Sequence, residues 1–334
     1  MRFKEYIERY RQVVYSKICE YVPLKEPIGH YRIMRDYIDR QGSYRRPGLV
    51  LLSGQMFGET IEKLILPAAA QQLSEDWILL QDDAEDDSEL RRGKPAAQKL
   101  YGWVHTVNAS NTGQIAMWKM LKDFVVQTGE IGNRVYEKFY DMLAYTVEGQ
   151  YLENEFIHHT KDLSSANEDF YYRIADSKTC YYTVYGPLQI GALAAGVTDE
   201  KVLSTMKEIG RKAGISFQIM DDVLDMTGDE AKFGKKRYGD LYEGKVTLII
   251  LHTFQNANNE EKEKISRIYK KKRPEKTQEE IQFLIDMIEK YGGIEYAKSI
   301  AKKYTGEAEA LVKENLEIFP NNEYRDILIT AIEE

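Results

Sequence analysis

Apolar residues recur along this chain at spacings of three and four, the period of a helix buried along one face. Phe3, Ile7, Tyr10, Val14 and Ile18 mark such a face and predict a helix from Phe3 to Cys19. The stretch from Gly48 to Gln81 is apolar over most of its length and also predicts helix, with Pro67 as an internal break or a first-turn residue. Long helices are predicted over 135–156, 201–226 and 277–291. After Gly292-Gly293 the helical period resumes with Ile294, Tyr296, Ala297, Ile300 and Ala301 towards Leu311. Gly93-Lys94-Pro95, Thr227-Gly228-Asp229, the segment 233–239 and the basic run Lys270 to Pro274 predict loops. Strand patterns are few, and no repeat on the order of 20 to 50 residues is present. With only 8 prolines in 334 residues, the pattern predicts an all-α chain.

No Gly/Ser-rich, Pro-rich or low-complexity stretch divides the sequence, so one domain over 1–334 is expected. With 43% hydrophobic residues the chain has enough to bury a full core. A net charge of −8 argues against a general nucleic-acid binder, whose affinity comes from Lys and Arg on phosphates. Cys19 and Cys180 are the only cysteines, a poor disulfide framework for this length, and a reduced, cytoplasmic setting is expected. The charged start, Met1-Arg2-Phe3-Lys4-Glu5-Tyr6, has no leader-like apolar core. No apolar run reaches the roughly 18 residues of a membrane span.

Two carboxylate clusters carry the candidate chemistry. The first is Asp82-Asp83-Ala84-Glu85-Asp86-Asp87, the second Asp221-Asp222-Val223-Leu224-Asp225. Residues four apart share a helix face, so Asp82 pairs with Asp86 and Asp221 with Asp225. An acidic solvated turn would explain the first cluster alone. The second follows Ile215-Ser216-Phe217-Gln218-Ile219-Met220, and carboxylates in so apolar a helix are costly unless paired or metal-bound. Each pair suits magnesium, which takes one or two carboxylates and completes its shell with water and phosphate oxygens. Basic residues follow both clusters: Arg91, Arg92 and Lys94 after the first, Lys235, Lys236 and Lys245 after the second. Acid for metal beside base for phosphate describes a diphosphate site.

On these residues the chain resembles the polyprenyl synthetase family, the trans-isoprenyl diphosphate synthases, from about Arg32 to Leu248. Asp82 to Pro95 resembles that family's first Asp-rich motif with its Arg-Arg-Gly tail. Phe217-Gln218 with Asp221 to Asp225 resembles the second, and Gly234-Lys235 and Glu243-Gly244-Lys245 the segment after it. Lys178-Thr179 is similar to the family's Lys-Thr element. Gly149-Gln150 is similar to a further helix motif, with Glu153 where Asp is usual. The resemblance implies a single large helical bundle around a deep central cavity, with the two Asp motifs on facing helices at its mouth. It implies three magnesium ions, for which manganese can substitute, held mainly by Asp82, Asp86 and Asp221. Asp83, Asp222 and Asp225 would complete the shells or hold metal-bound water. Arg91, Lys178, Lys235 and Lys245 would stabilise the departing diphosphate of an allylic substrate, and Thr179 and Gln218 would face the cation left behind. Isopentenyl diphosphate is the implied acceptor, near Arg46 and Arg92, and a homodimer is the implied assembly.

The sequence departs from the family at the acceptor side. Gly42-Ser43-Tyr44-Arg45-Arg46-Pro47 stands where Gly-Lys-x-x-Arg is usual, so Ser43 replaces a Lys. Glu75 stands where His or Gln is usual. Arg45 is expected to compensate for the lost Lys, with Glu75 neutralised by an Arg. Trp77, with Ile78 beside it, is expected to form the floor of the substrate pocket. That resembles the short-chain, archaeal-type enzymes that make geranylgeranyl diphosphate, with farnesyl diphosphate as the next choice of product. Two other readings remain open: an enzyme that passes the allylic cation to a different acceptor, and a non-catalytic helical subunit that binds prenyl diphosphates or a partner chain.

Overall fold

A computed structural model describes residues 1–228 and 237–333. The described residues form α1 (Phe3–Tyr21), α2 (Ile28–Arg40), α3 (Arg45–Met56), α4 (Ile61–Glu85), α5 (Ala97–Tyr101), α6 (Trp103–Thr128), α7 (Glu130–Glu155) and α8 (Glu168–Ile174). They continue with α9 (Gly186–Ala194), α10 (Glu200–Thr227), α11 (Gly239–Glu243), α12 (Leu248–Asn256), α13 (Asn259–Tyr269), α14 (Gln278–Tyr291), α15 (Gly293–Glu314) and α16 (Glu323–Glu333). Between α8 and α9 the chain winds more loosely, as a π-helical segment over Ala175–Tyr185. The one sheet among the described residues is a ribbon of β1 (Leu90–Arg91) and β2 (Lys94–Pro95). The all-α expectation holds.

Local signals explain most boundaries. Thr277 caps α14 and Glu280 returns the bond, and Gly292, at φ +67°, ends that helix where Gly292-Gly293 broke the pattern. The run from Gly48 to Gln81 is two helices. Gly58, at φ +90°, turns the chain between α3 and α4, a conformation that a side chain would strain. Pro67 lies inside α4 without ending it.

The apolar faces form two clusters. One gathers α1 to α4, α6, α7, α9, the first half of α10 and α16. The other gathers the second half of α10 with α8 and α11 to α15. α10 and the π-helical segment contribute to both, through Ile209 and Tyr182 on one side and Ile219 and Cys180 on the other. α4 packs along α6, and α10 along α15 and the π-helical segment. These contacts leave the C-terminal ends of α4 and α10 at the seam between the clusters. No described helix is long and apolar enough to cross a membrane.

Candidate active site

Both acidic clusters sit in the closing turns of their helices. Asp82 lies in the last turn of α4 and Asp86 caps it, the Asp86 N–H donating to the Asp82 carbonyl at 2.9 Å. Asp221, Asp222 and Asp225 occupy the final turns of α10. A helix C-terminus carries partial negative charge, and neither last turn holds a basic residue. Asp82 and all three aspartates of α10 line one cavity of about 410 Å³. A smaller adjoining pocket joins Asp82 and Asp86 with Asp225. The two clusters therefore converge.

Cations answer them from three other elements. Lys178, in the π-helical segment, pairs with Glu153 of α7 and stands 3.4 Å from Asp82. Burial works against its charge, but Glu153 and Asp82 hold the ammonium above its ordinary value. Gly149 lets α7 approach this segment closely, because a Cβ there would stand 2.7 Å from the Lys178 backbone nitrogen. Lys245 bridges Asp86 at 3.0 Å and Glu243 at 2.9 Å. Arg91, from the ribbon, lines the cavity with one nitrogen 3.7 Å from Asp82. Gln150 donates to Asp82 at 3.2 Å.

The other aspartates of the motifs have different tasks. Asp83 is fully buried and faces away from the cavity. It accepts two bonds from Arg91, at 2.8 and 2.5 Å, and one from the Tyr37 hydroxyl at 2.6 Å. Its expected place in a metal shell is corrected: one step along the helix from Asp82 turns it about 100° into the core, where it positions Arg91. Asp222 accepts from Tyr171 at 2.8 Å and Gln218 at 2.7 Å, and burial pushes its carboxyl up to about 8. Thr179 donates to Gln218 at 2.6 Å, which fixes the amide. Asp225 accepts from the backbone N–H groups of Gly239 and Asp240 at 3.1 and 3.2 Å, at the start of α11. Asp221 is exposed on the cavity wall. Lys235 lies outside the described residues.

At the other end of the cavity stand Arg46 and Glu75, 3.1 Å apart. Arg92 approaches Glu75 at 3.5 Å and Asp76 at 3.0 Å. Arg45 does not join them. Its guanidinium lies over the Phe217 ring, 5.7 Å from the centroid, beside a separate apolar pocket. The next residue on a helix points about 100° away, so Arg45 and Arg46 leave α3 in different directions. Trp77 does not line this cavity. It packs in the core against Gly113 of α6, and Leu79 is the residue near it that lines the cavity. Five residues from Asp82 is a turn of about 140°, which carries Trp77 off the cavity face. Ile78 is half-buried against the same core and does not line the cavity.

The donors at the motif end are all oxygen, the chemistry a hard divalent cation prefers. Asp86 Oδ1 is buried without a hydrogen-bond partner, and burial pushes that carboxyl up to about 7. Such a group gains from a cation. Among the described residues no cluster of three or more Asp, Glu, His or Cys is close enough to hold an ion alone. The residues therefore fit an ion that takes one or two carboxylates and completes its shell with water and phosphate oxygens, as magnesium does.

Sequence reasoning missed the tyrosines, because with 24 in the chain nothing singled out Tyr37 and Tyr171. Asp76, next to Glu75, was missed as well. Comparison with known proteins agrees with the geometry. The polyprenyl synthetase family matches residues 29–288. A geranylgeranyl diphosphate synthase of Methanosarcina mazei is 30% identical, over 94% of this chain and 91% of its own. A geranylgeranyl pyrophosphate synthase of Geoglobus acetivorans is 30% identical, over 97% and 96%. The crystal structure of a geranylgeranyl pyrophosphate synthetase from Pyrococcus horikoshii superposes with a TM-score of 0.84 at 29% identity, covering 99% of this chain and 96% of that one.

The Asp83–Arg91 pair yields a direct test. Asp83→Asn leaves a buried guanidinium short of its counter-charge and is expected to cost about 3 kcal/mol in urea unfolding. Asp82→Asn, at the cavity wall, is expected to cost less than that.

Proposed function

We propose a defined reaction for this chain on a settled premise: it belongs to the polyprenyl synthetase family and is a trans-prenyltransferase. It condenses isopentenyl diphosphate with an allylic diphosphate to give a short-chain product, geranylgeranyl diphosphate. The observation that carries this reading is the convergence of both acidic clusters on one cavity with Lys178, Lys245 and Arg91 among them. The product follows the relatives named for geranylgeranyl diphosphate synthesis.

The reaction begins with cleavage of the allylic C–O bond, the electron pair leaving with the diphosphate. Lys178, Lys245 and Arg91 stabilise the negative charge that grows there, from a cavity wall where such charges act strongly. Asp82, Asp86 and Asp221 would hold magnesium, three ions in all, with manganese as a substitute. When bound, the metal neutralises diphosphate charge and so improves the leaving group. The Thr179 hydroxyl and the Gln218 amide, fixed by Asp222 and Tyr171, place dipoles beside the allylic cation. The double bond of isopentenyl diphosphate attacks that cation, and the released diphosphate takes the proton lost from the new chain. No protein base is then required.

The same reading covers the rest of the molecule. The chain acts as one domain, because α10 and the π-helical segment belong to both apolar clusters. A cytoplasmic setting is supported by Cys19 and Cys180, which are both free thiols. The assembly is a homodimer. Val104, Ile115 and Val126 of α6 are each at least 70% exposed and eleven residues apart, so they form one stripe, about three turns per step. Tyr140, Val147 and Tyr151 are exposed on α7, which packs beside α6. A second copy would cover both.

Product analysis with isopentenyl diphosphate and each allylic primer, with and without magnesium, tests the reaction. A twenty-carbon diphosphate is expected only with metal, and Asp82→Ala and Asp221→Ala should each lower kcat about a hundredfold or more. Full activity in a chelator, or in either variant, would refute the site. For the assembly, light scattering should give twice the chain mass, and Ile115→Glu with Val126→Glu should halve it.

A further inference from the structure

The acceptor end of the cavity has an electrostatic peculiarity. Glu75 is only 6% exposed, with one oxygen 3.1 Å from Arg46 and the other 3.5 Å from Arg92. Burial opposes its charge, but Arg46 and Arg92 outweigh burial and hold the carboxyl below its ordinary range. Arg92 is engaged further by Asp76 at 3.0 Å and by the Tyr37 carbonyl at 2.6 Å. Two guanidiniums thus face two carboxyl groups, and the next cations are already engaged, Arg91 by Asp83 and Arg11 by Glu8 and the Gly42 carbonyl, so little net positive charge is left for a polyanion. The loop before α3 adds none: a Cβ on Gly42 would stand 2.5 Å from the Arg92 guanidinium, and the next residue is the uncharged Ser43.

The pairing is also incomplete as hydrogen bonding. Arg46 Nε and the Tyr44 hydroxyl are buried donors without a hydrogen-bond partner, and Arg92 Nη2 reaches Glu75 only at the 3.5 Å of an ion pair. Buried polar groups are ordinarily satisfied, and unsatisfied donors gathered around one carboxylate describe a site arranged for a larger anion than the one it holds. Arg46 and Glu75 both line the cavity, so a ligand there meets them directly.

We propose that Glu75 is a resident anion in the acceptor site, competing with the diphosphate of isopentenyl diphosphate for Arg46 and Arg92, and that it thereby sets a weak affinity for that substrate. This rests on isopentenyl diphosphate being the acceptor. Glu75 is a specificity-determining residue on this account: it penalises any acceptor in proportion to negative charge and leaves the allylic site untouched. At the motif end Lys178 and Lys245 pair with Glu153, Asp82, Asp86 and Glu243, and Arg91 pairs with Asp83 and Asp82, so Glu75 forms an ion pair with none of them.

Steady-state kinetics with magnesium test it, varying isopentenyl diphosphate and the allylic diphosphate separately. Glu75→Gln keeps the shape and removes the charge, so KM for isopentenyl diphosphate should fall about tenfold, with KM for the allylic substrate within twofold of wild type. Ser43→Lys keeps Glu75 in place and adds a cation beside Gly42, and should lower the same KM. An unchanged or raised KM for isopentenyl diphosphate in a folded Glu75→Gln enzyme overturns the proposal. If that variant does not fold, an unchanged KM in Ser43→Lys overturns it instead. Failure of the underlying reading looks different: wild type and both variants would release pyrophosphate from the allylic substrate yet incorporate no isopentenyl diphosphate, which overturns reading and proposal together. Incorporation by Glu75→Gln but not by wild type supports the proposal in its strongest form.

Discussion

Two clusters of carboxylates are held against one another at the negative ends of two helices, and the rest of the site is organised around that repulsion. Asp82 and Asp86 close α4, and Asp221 to Asp225 close α10, with no basic residue in either last turn. Left alone, the helix dipoles and the like charges would drive these ends apart. The fold counters with cations brought from elsewhere: Lys178 from the π-helical segment, Lys245 from beyond α11 and Arg91 from the ribbon. Their charge leaves Asp86 with a buried, unpartnered oxygen, so the balance is not complete without a further cation.

Each cation is itself placed by an interaction that has nothing to do with catalysis. Asp83 gives up its place at the cavity to grip Arg91 from behind, and Tyr37 holds Asp83 in turn. Glu153 steadies Lys178, and Glu243 steadies Lys245 while also meeting Arg273. The loosened winding of Ala175–Tyr185 belongs to the same arrangement, because π-helical turns in long helices re-aim side chains and concentrate at functional sites. These supports are charged groups with little exposure, so removing one partner strands another. The precision of the site is thus bought by a layer of buried ion pairs behind it.

The clusters themselves were legible in the sequence because their signal is local: spacing four apart in apolar surroundings places carboxylates on one helix face whatever the rest of the fold does. The stop at Gly292 was legible for the same reason. What sequence could not supply was rotation about a helix and contact between distant segments. Asp83 sits one residue from Asp82 yet faces the core, and Trp77 sits five residues away and does likewise. Arg45 and Arg46 are neighbours in the chain, but one lies on Phe217 and the other meets Glu75. Tyr37 and Tyr171 reach their aspartates across 46 and 51 residues, with no local pattern to announce them.

The two ends of the cavity follow opposite electrostatic plans. At the motif end, cations are paired with carboxylates that line the wall, where a metal ion can tip the balance towards binding phosphate. At the other end the guanidiniums of Arg46 and Arg92 meet Glu75 and Asp76. Charge at the first end is adjustable by a bound ion, whereas charge at the second is fixed by side chains. On the proposed reaction, affinity for one diphosphate would vary with metal while affinity for the other would depend on Arg46, Glu75 and Arg92. That separation lets substitution at a few positions alter what the cation meets without disturbing how the cation is made.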